Sequence, residues 1–174
     1  MNKVIVTGGA GYIGSHTCLK LIELGYEPLI IDNLSNTSIE NIQGVESITN
    51  KKLIFYEIDC CSAKKLDMII KKENDIIGAI HFAAYKSVEE SVRIPEKYFN
   101  NNLNSLKSLV DVMQNNNLNN LIFSSSCTVY GSPDSLPVDE NASFKKAESA
   151  YGETKQLCEK IIAESKLFSV CLRY

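Results

Sequence analysis

Short apolar runs alternate along the chain with longer stretches whose apolar residues have helical spacing. The runs are rich in Val, Ile, Leu and Phe, and they predict strands at residues 3–7, 28–31, 53–58, 76–82, 121–125 and 167–173. Helices are predicted at residues 12–24, 63–73, 95–114 and 149–166. Gly25 suits the position after a helix, Ser62 a helix cap and Pro95 a first helical residue. Apolar strands separated by helices favour an α/β, doubly wound (Rossmann-like) parallel sheet that is covered on both faces.

Composition adds little to this fold prediction but excludes several classes of protein. The 174 residues are 44% hydrophobic and 22% charged, which matches one ordinary globular domain spanning residues 1–174. A net charge of −3 gives no electrostatic reason to expect nucleic acid or an anionic membrane as a partner. The first strand begins almost at Met1 and leaves no room for a signal peptide, so a cytoplasmic location is expected. The Asn-rich segments at residues 100–102 and 115–117 are interpreted as solvated helix ends.

The six cysteines form no Cys-x-x-Cys pair and have no His at zinc-ligand spacing. No metal site is therefore predicted. We interpret the cysteines as reduced thiols that serve as small apolar residues. The adjacent pair Cys60 and Cys61 fits two residues at a strand end better than a redox site.

A glycine-rich loop follows the first predicted strand and opens the first helix. Its glycines, Gly8, Gly11 and Gly14, allow a tight turn and let a pyrophosphate approach the backbone at a helix N-terminus. Asp32 ends the second strand, where a carboxylate would accept hydrogen bonds from the adenosine ribose. No Arg or Lys follows within residues 33–37 to neutralise a 2′-phosphate, so NAD is preferred over NADP. Asp59, at the end of the third strand, is either an adenine contact or an acidic turn residue.

Tyr151 and Lys155 lie four residues apart on the last predicted helix, and therefore on one face. A nearby ammonium would lower the pKa of the phenol, which could then take a proton from a substrate hydroxyl while hydride leaves for a nicotinamide. Residues 124–126, all serine, end the fifth strand, where ligands bind in such sheets. A hydroxyl from this cluster would orient the reacting oxygen.

These motifs together resemble the N-terminal part of the extended short-chain dehydrogenases/reductases, and more narrowly the UDP-glucose 4-epimerases. The resemblance runs through the whole chain in order and is carried by residues 6–16, 32–36, 81–91, 123–131 and 151–155. The segment 81–91, which contains Lys86, is much more specific to these epimerases than the glycine loop is.

The resemblance implies a role for each matching residue. Tyr12 and Ile13 would lie along the pyrophosphate, and the adenosine ribose would be surrounded by Asp32, Asn33, Leu34, Ser35, Asn36 and Thr37. Asp59 and Cys60 would bracket the adenine, although position 60 is usually aliphatic in the family. The rest of the cofactor groove would be lined by Phe82, Ala83, Ala84, Lys86 and Asn101. The catalytic group would be Ser126, Tyr151 and Lys155, with Ser126, Tyr151 and Thr128 near the sugar.

The implied reaction is epimerisation of UDP-glucose and UDP-galactose at C4 through a 4-keto sugar, with NAD as the cofactor. The smaller C-terminal substrate domain of the family has no counterpart among these 174 residues, so NAD binding with impaired turnover is expected. The alternative is a non-catalytic NAD-binding fragment, or a subunit that needs a second chain. A nucleotide-sugar 4,6-dehydratase is disfavoured, because Cys127 and Thr128 stand where that family has an Asp-Glu pair. The resemblance also implies a homodimer, packed through the helices near residues 95–114 and 149–166.

Overall fold

Six parallel strands form one sheet in a computed structural model that describes residues 1–174. The strands are β1 (Lys3–Thr7), β2 (Glu27–Asp32), β3 (Ile54–Glu57), β4 (Ile76–His81), β5 (Asn120–Ser124) and β6 (Phe168–Leu172). They lie in the order β3-β2-β1-β4-β5-β6, and every neighbouring pair is parallel. This is the doubly wound order that the sequence predicts, and the order reverses between β1 and β4. A crevice forms at such a reversal, beyond the carboxyl ends of the strands.

Helices connect all of the strands. They are α1 (Tyr12–Glu23), α2 (Ile39–Thr49), α3 (Ala63–Lys72), α4 (Val88–Arg93), α5 (Pro95–Tyr98), α6 (Asn104–Asn115) and α7 (Ala150–Glu164). A π-helical turn, Phe99–Leu103, joins α5 to α6, and a 3₁₀ turn, Cys127–Tyr130, follows β5. The sequence did not predict α2 or α4. Helix α2 buries only Ile42 and Val45 and contains Gly44, and α4 has only six residues, so neither shows a strong apolar stripe.

The three residues predicted at helix ends all lie at helix ends. Gly25 has a positive φ of 83° just past α1, and Pro95 is the first residue of α5. Ser149, where the last helix was predicted to begin, precedes α7, and its hydroxyl accepts a hydrogen bond from Gly152 N at 3.1 Å. Ser62 precedes α3 but makes no capping hydrogen bond through its side chain. Its ψ of 86° departs from the extended backbone that directs a capping hydroxyl at the first turn. Ser62 therefore takes the predicted N-cap position, but its hydroxyl does not cap the helix.

Two apolar clusters hold the sheet between its helices. The larger one packs side chains of α3, α6 and α7 against the sheet, and the smaller one includes Cys18 of α1 and Ile42 of α2. Strand β6 departs from the predicted coverage, because Phe168, Val170 and Leu172 are 75%, 55% and 42% exposed. Right-handed crossovers put α3, α6 and α7 on the same face of the sheet, so the opposite face of β6 has no helix over it.

The two Asn-rich segments differ in environment. Asn115 ends α6 and Asn116 is its cap, as expected for a solvated helix end. Asn102 lies instead inside the π-helical turn and is only 2% exposed. The prediction for residues 100–102 is wrong, because the turn directs this amide into the interior. None of the helices combines the length and apolar character that crossing a bilayer would require.

Candidate active site

A cleft of about 550 Å³ opens at the carboxyl ends of β1, β2, β4 and β5, where the strand order reverses. Almost all of the site residues predicted from the sequence line this one cleft: Gly8, Gly11, Tyr12, Ile13, Gly14, Asp32, Asn33, Ser35, Asn36, Thr37, Asp59, Cys60, Phe82, Ala83, Ala84, Lys86, Asn101, Ser126, Tyr151 and Lys155. Residues from the first and the last third of the chain thus share a single surface, with the glycine loop and the Tyr/Lys pair both opening onto it.

Two predicted residues lie outside the cleft. Leu34 packs against the smaller apolar cluster, and its positive φ of 54° turns the chain there. Thr128 lies in the 3₁₀ turn, and its hydroxyl oxygen is buried without a hydrogen-bond partner. Neither Leu34 nor Thr128 is among the residues that line the cleft, so their places at the ribose and near the sugar stay predictions.

Four lining residues escaped the sequence prediction: Asn41, Tyr85, Ser105 and Tyr174. Asn41 lies on the unpredicted helix α2, and its amide donates to the Ala10 carbonyl at 2.7 Å, which ties α2 to the glycine loop. The hydroxyls of Tyr174 and Ser124 are 2.5 Å apart. The strand-end position of Tyr174 was the available signal, because residues just past parallel strands face the ligand crevice.

The glycine loop is built to leave room for an anion. A Cβ at Gly14 would lie 2.3 Å from the Gly8 carbonyl oxygen, and Gly8 itself has a φ of 69° that disfavours any side chain. Gly11 is the N-cap of helix α1 and provides no side-chain cap, and the first turn of the helix contains no acidic residue. The N–H groups and the positive end of the helix dipole thus remain available to a pyrophosphate.

Asp32 is buried at the end of β2 and holds the surrounding loops. Its Oδ2 accepts from Ala10 N at 3.1 Å, and its Oδ1 accepts from Leu34 N and the Thr37 hydroxyl, both at 3.0 Å. A carboxylate offers about four acceptor positions, so roughly one remains for a ribose hydroxyl. None of the cleft-lining residues between positions 32 and 37 is a Lys or Arg that could offset the buried negative charge of Asp32. This disfavours a 2′-phosphate at this end of the cleft.

Asp59 fits both of its interpretations. Its Oδ1 accepts from Cys61 N at 2.8 Å, the bond expected of an acidic turn residue, and its side chain also lines the cleft. The neighbouring thiols are free, and burial raises the pKa of Cys61 to about 12. Since the thiolate is the reactive form of cysteine, this environment supports small apolar residues rather than a redox pair.

Helix α7 presents Tyr151 and Lys155 to the opposite end of the cleft. Lys155 is only 3% exposed, and its ammonium donates to the Ser124 carbonyl at 2.6 Å. The Lys155 Nζ lies 5.7 Å from the centroid of the Tyr151 ring. Burial lowers the pKa of Lys155 to about 8. Burial also raises the pKa of Tyr151, although the Ser126 hydroxyl acts in the opposite direction. The expected lowering of the Tyr151 pKa by Lys155 is therefore wrong here, because desolvation dominates and a backbone carbonyl holds the ammonium.

A buried aromatic layer supports the Lys155 side chain. Its Nζ lies 4.7 Å from the Phe123 ring centroid, and Phe123 stacks on His81 with centroids 6.0 Å apart. The Nδ1 of His81 is 2.7 Å from the Thr7 hydroxyl. Burial, followed by the positive charge of Lys155, lowers the pKa of His81 to about 3, so this imidazole is neutral near pH 7.

The family to which this architecture belongs follows from comparison with known proteins. The family model described as the NAD dependent epimerase/dehydratase family matches residues 4–174, and the chain belongs to that family. Within it, the chain is 47% identical over 163 residues to a UDP-glucose 4-epimerase of Dictyostelium discoideum, which covers 94% of this chain and 47% of that protein. A UDP-glucose 4-epimerase of Bacillus subtilis is 45% identical over 92% of this chain and 47% of its own length.

Solved structures give the same result. The UDP-glucose 4-epimerase of Bifidobacterium longum, in complex with NAD+ and UDP, has a TM-score of 0.95 at 38% identity, covering 99% of this chain and 53% of that one. The chain thus spans about half the length of the relatives it matches, and it corresponds to their N-terminal part. The resemblance to the extended family and to its epimerases is confirmed.

Proposed function

We propose that these residues form the NAD-binding and catalytic part of an enzyme that epimerises UDP-glucose and UDP-galactose at C4. The observation that carries the proposal is a single cleft with the glycine loop and Asp32 toward one end and Ser126, Tyr151 and Lys155 toward the other. A cofactor that reaches from Asp32 to Tyr151 needs this continuity. Membership in an NAD-dependent family and similarity to epimerases solved with NAD support the choice of cofactor.

The residues at the adenosine end fit such a cofactor. The uncapped first turn of α1 would bind the pyrophosphate, and Asp32 would accept from the ribose with its remaining acceptor position. Asp59 and Cys60 would lie against the adenine. The lack of a cation beside Asp32 supports NAD over NADP.

At the other end, NAD when bound would supply the acceptor and donor of the hydride at the sugar C4. Tyr151 takes the proton from the sugar 4-hydroxyl and later returns it to the epimeric oxygen. Ser126 orients that oxygen, and its hydroxyl favours the phenolate of Tyr151. Lys155, anchored on the Ser124 carbonyl, lies beside the phenol, with its Nζ 5.7 Å from the centroid of the Tyr151 ring. Dehydration lacks a carboxylic acid in this arrangement, because the turn after Ser126, Cys127–Tyr130, contains no Asp or Glu.

We further propose that the 174 residues alone convert UDP-galactose only slowly, and that they belong to one NAD-binding domain. The relatives are about twice as long, and the family's substrate-covering half has no counterpart among these residues. We also propose a homodimer that packs through the helices near residues 95–114 and 149–166, which the molar mass in solution would test.

The test is a pair of measurements on the purified chain. Calorimetric titration is expected to give NAD binding that is tighter than NADP binding, and a coupled assay is expected to give little UDP-glucose from UDP-galactose. Failure to bind NAD would refute the proposed cofactor. Fast conversion of UDP-galactose would refute the proposed impairment but keep the epimerase, whereas NAD binding without any conversion would favour a pure cofactor-binding module.

A further inference from the structure

A buried carboxylate that the proposed reaction does not use lies one helical turn after Lys155. Glu159 is 8% exposed on α7, and Lys155 is 3% exposed. Side chains four residues apart on a helix share one face, a spacing at which a lysine and a glutamate commonly pair. The Lys155 ammonium donates instead to the Ser124 carbonyl at 2.6 Å. A buried charge is costly unless it is paired, so Glu159 needs another partner.

Arg173, just past β6, is that partner. Its Nε donates to Glu159 Oε1 at 3.0 Å and to Oε2 at 3.2 Å, and its Nη2 donates to Oε2 at 2.7 Å. The Ser125 hydroxyl also donates to Oε1. A carboxylate has about four acceptor positions, and these four contacts occupy them. The guanidinium fork and the serine therefore leave no acceptor of Glu159 for the Lys155 ammonium.

The guanidinium of Arg173 is itself held in place by two aromatic rings. Its central carbon lies 5.3 Å from the ring centroid of Tyr130 and 4.8 Å from that of Phe144. Its Nη1 donates to the Tyr130 hydroxyl at 3.0 Å and to the Glu140 carbonyl at 3.3 Å. Stacking of this kind suits the planar guanidinium of an arginine better than the flexible ammonium of a lysine. The position of Arg173 is thus fixed independently of Glu159.

The lysine and the glutamate are anchored side by side at the end of β5. Lys155 is bound to the Ser124 carbonyl, and Glu159 is bound to the hydroxyl of the next residue, Ser125. Without the guanidinium, Glu159 would be a buried, unpaired anion one turn from a buried ammonium. Opposite charges attract strongly in such a weakly polar environment, so the ammonium would move from the carbonyl to the carboxylate.

We propose that Arg173 is a positioning residue. By occupying Glu159, it keeps the Lys155 ammonium directed at the cofactor cleft. Lys155 and Ser124 line the cleft, whereas Arg173 and Glu159 do not, so the effect of Arg173 on a cofactor passes through Lys155. This inference rests on the proposed NAD binding. The hydrogen bonds of Asp32 involve none of these groups, and the adenosine end of the cleft is therefore independent of them.

The experiment measures the affinity for NAD and for AMP, which occupies only the adenosine end, by calorimetric titration. Lys155→Met and Arg173→Met should each weaken NAD binding about tenfold, the size of one lost net hydrogen bond, and change AMP binding less than about twofold. The combined variant should bind NAD within about twofold of Lys155→Met alone, because both changes act through one ammonium. Additive losses, or equal losses of NAD and AMP affinity, would show a merely structural role and overturn the proposal.

Lys3→Met is the matched control. Lys3 and Glu73 form another largely buried ion pair, 2.7 Å apart and with side chains that are 16% and 13% exposed. This pair lies at the amino end of β1, away from the cleft at the carboxyl ends of the strands. Lys3→Met should leave both affinities unchanged. A loss of NAD affinity equal to that in Arg173→Met would contradict the proposal.

A double variant keeps the proposal testable if Arg173→Met alone does not fold. Arg173→Met combined with Glu159→Gln removes the unpaired anion together with the competing partner, so its NAD affinity should return to within about twofold of the wild type. An affinity as low as that of Lys155→Met would overturn the proposal.

Two further outcomes separate this inference from the proposed function. Failure of the wild type to bind NAD, or full NAD affinity in Lys155→Met, would refute the proposed NAD site at Lys155 and this inference with it. Weak NAD binding in Lys155→Met together with full NAD affinity in Arg173→Met would refute the inference alone.

Discussion

The neutral His81 beneath the cleft predicts a specific loss of stability in mild acid. In the folded chain its pKa is about 3, below the ordinary value of 6.5, because burial and the Lys155 charge both oppose protonation. In the unfolded chain the imidazole takes up a proton as the pH falls through about 6.5. The unfolded state therefore binds more protons between these values, and the stability present above pH 6.5 is progressively lost below it.

The magnitude follows from the part of this window that is crossed. Between about pH 7.5 and pH 5 the imidazole of His81 in the unfolded chain becomes almost fully protonated, and pH 5 lies about 1.5 pH units below its unfolded pKa. At about 1.4 kcal/mol per unit, His81 alone should reduce the free energy of unfolding by about 2 kcal/mol. That is a large share of the 5–15 kcal/mol that roughly bounds the stability of a domain.

Urea unfolding followed by circular dichroism at the two pH values measures this loss. His81→Asn removes the titrating ring, so its stability should fall about 2 kcal/mol less on acidification than that of the wild type. His16→Gln is the control, because His16 is the only other histidine in the chain and is exposed on α1. Carboxylates contribute similarly to all three proteins. An unchanged acid loss in His81→Asn, or an imidazole NMR titration of His81 near 6.5, would refute the reasoning.

Three further predictions concern the cleft. Gly14→Ala places a Cβ 2.3 Å from the Gly8 carbonyl oxygen and should weaken NAD binding at least about tenfold in a titration. Gly44→Ala is the control: its Cβ would have no atom within 4 Å and lies in the middle of a helix, so NAD binding should be unchanged and the chain should be stabilised by about 0.5–1 kcal/mol. Weaker NAD binding in Gly44→Ala than in Gly14→Ala would contradict the loop assignment. Tyr151→Phe should keep NAD binding and abolish turnover in any extended, active form, and loss of NAD binding instead would mean that Tyr151 is misassigned. The pKa of Lys155 is about 8 in the folded chain and 10.5 in the unfolded chain, so its unfavourable burial is relieved as the pH rises. Between about pH 7 and pH 10 the free energy of unfolding of the wild type, measured with denaturant, should rise by about 2 kcal/mol relative to that of Lys155→Met. A parallel pH dependence of the two proteins would count against a buried ammonium.

Much of the fold was predictable because its signals are local. The six strands and the main helices follow from apolar spacing, and their bounds differ from the structure by only a few residues. Helix α2 was missed because only Ile42 and Val45 face the core and Gly44 interrupts it. The prediction for β6 failed differently, since its apolar residues predict burial but crossover handedness leaves one of its faces open.

The site shows the same division. Gly8 and Gly14 were found from spacing, because a phosphate loop needs glycine wherever backbones meet closely. Leu34 and Thr128 do not line the cleft, because a family motif names positions but not the direction in which a turn sends each side chain. Asn102 was interpreted as solvated, since nothing in an Asn-rich stretch indicates a partner distant in the chain.

The sequence by itself determined the order of the elements, the glycine loop and the Tyr151–Lys155 pair, because steric limits and helical periodicity act between near neighbours. Only the tertiary structure decided how these groups are charged and connected. The pKa of Tyr151 rises rather than falls because of burial, which depends on the assembled cleft. Asn102 reaches Tyr85 across 17 residues and Thr154 across 52, and such contacts exist only once the sheet has brought β4, α6 and α7 together.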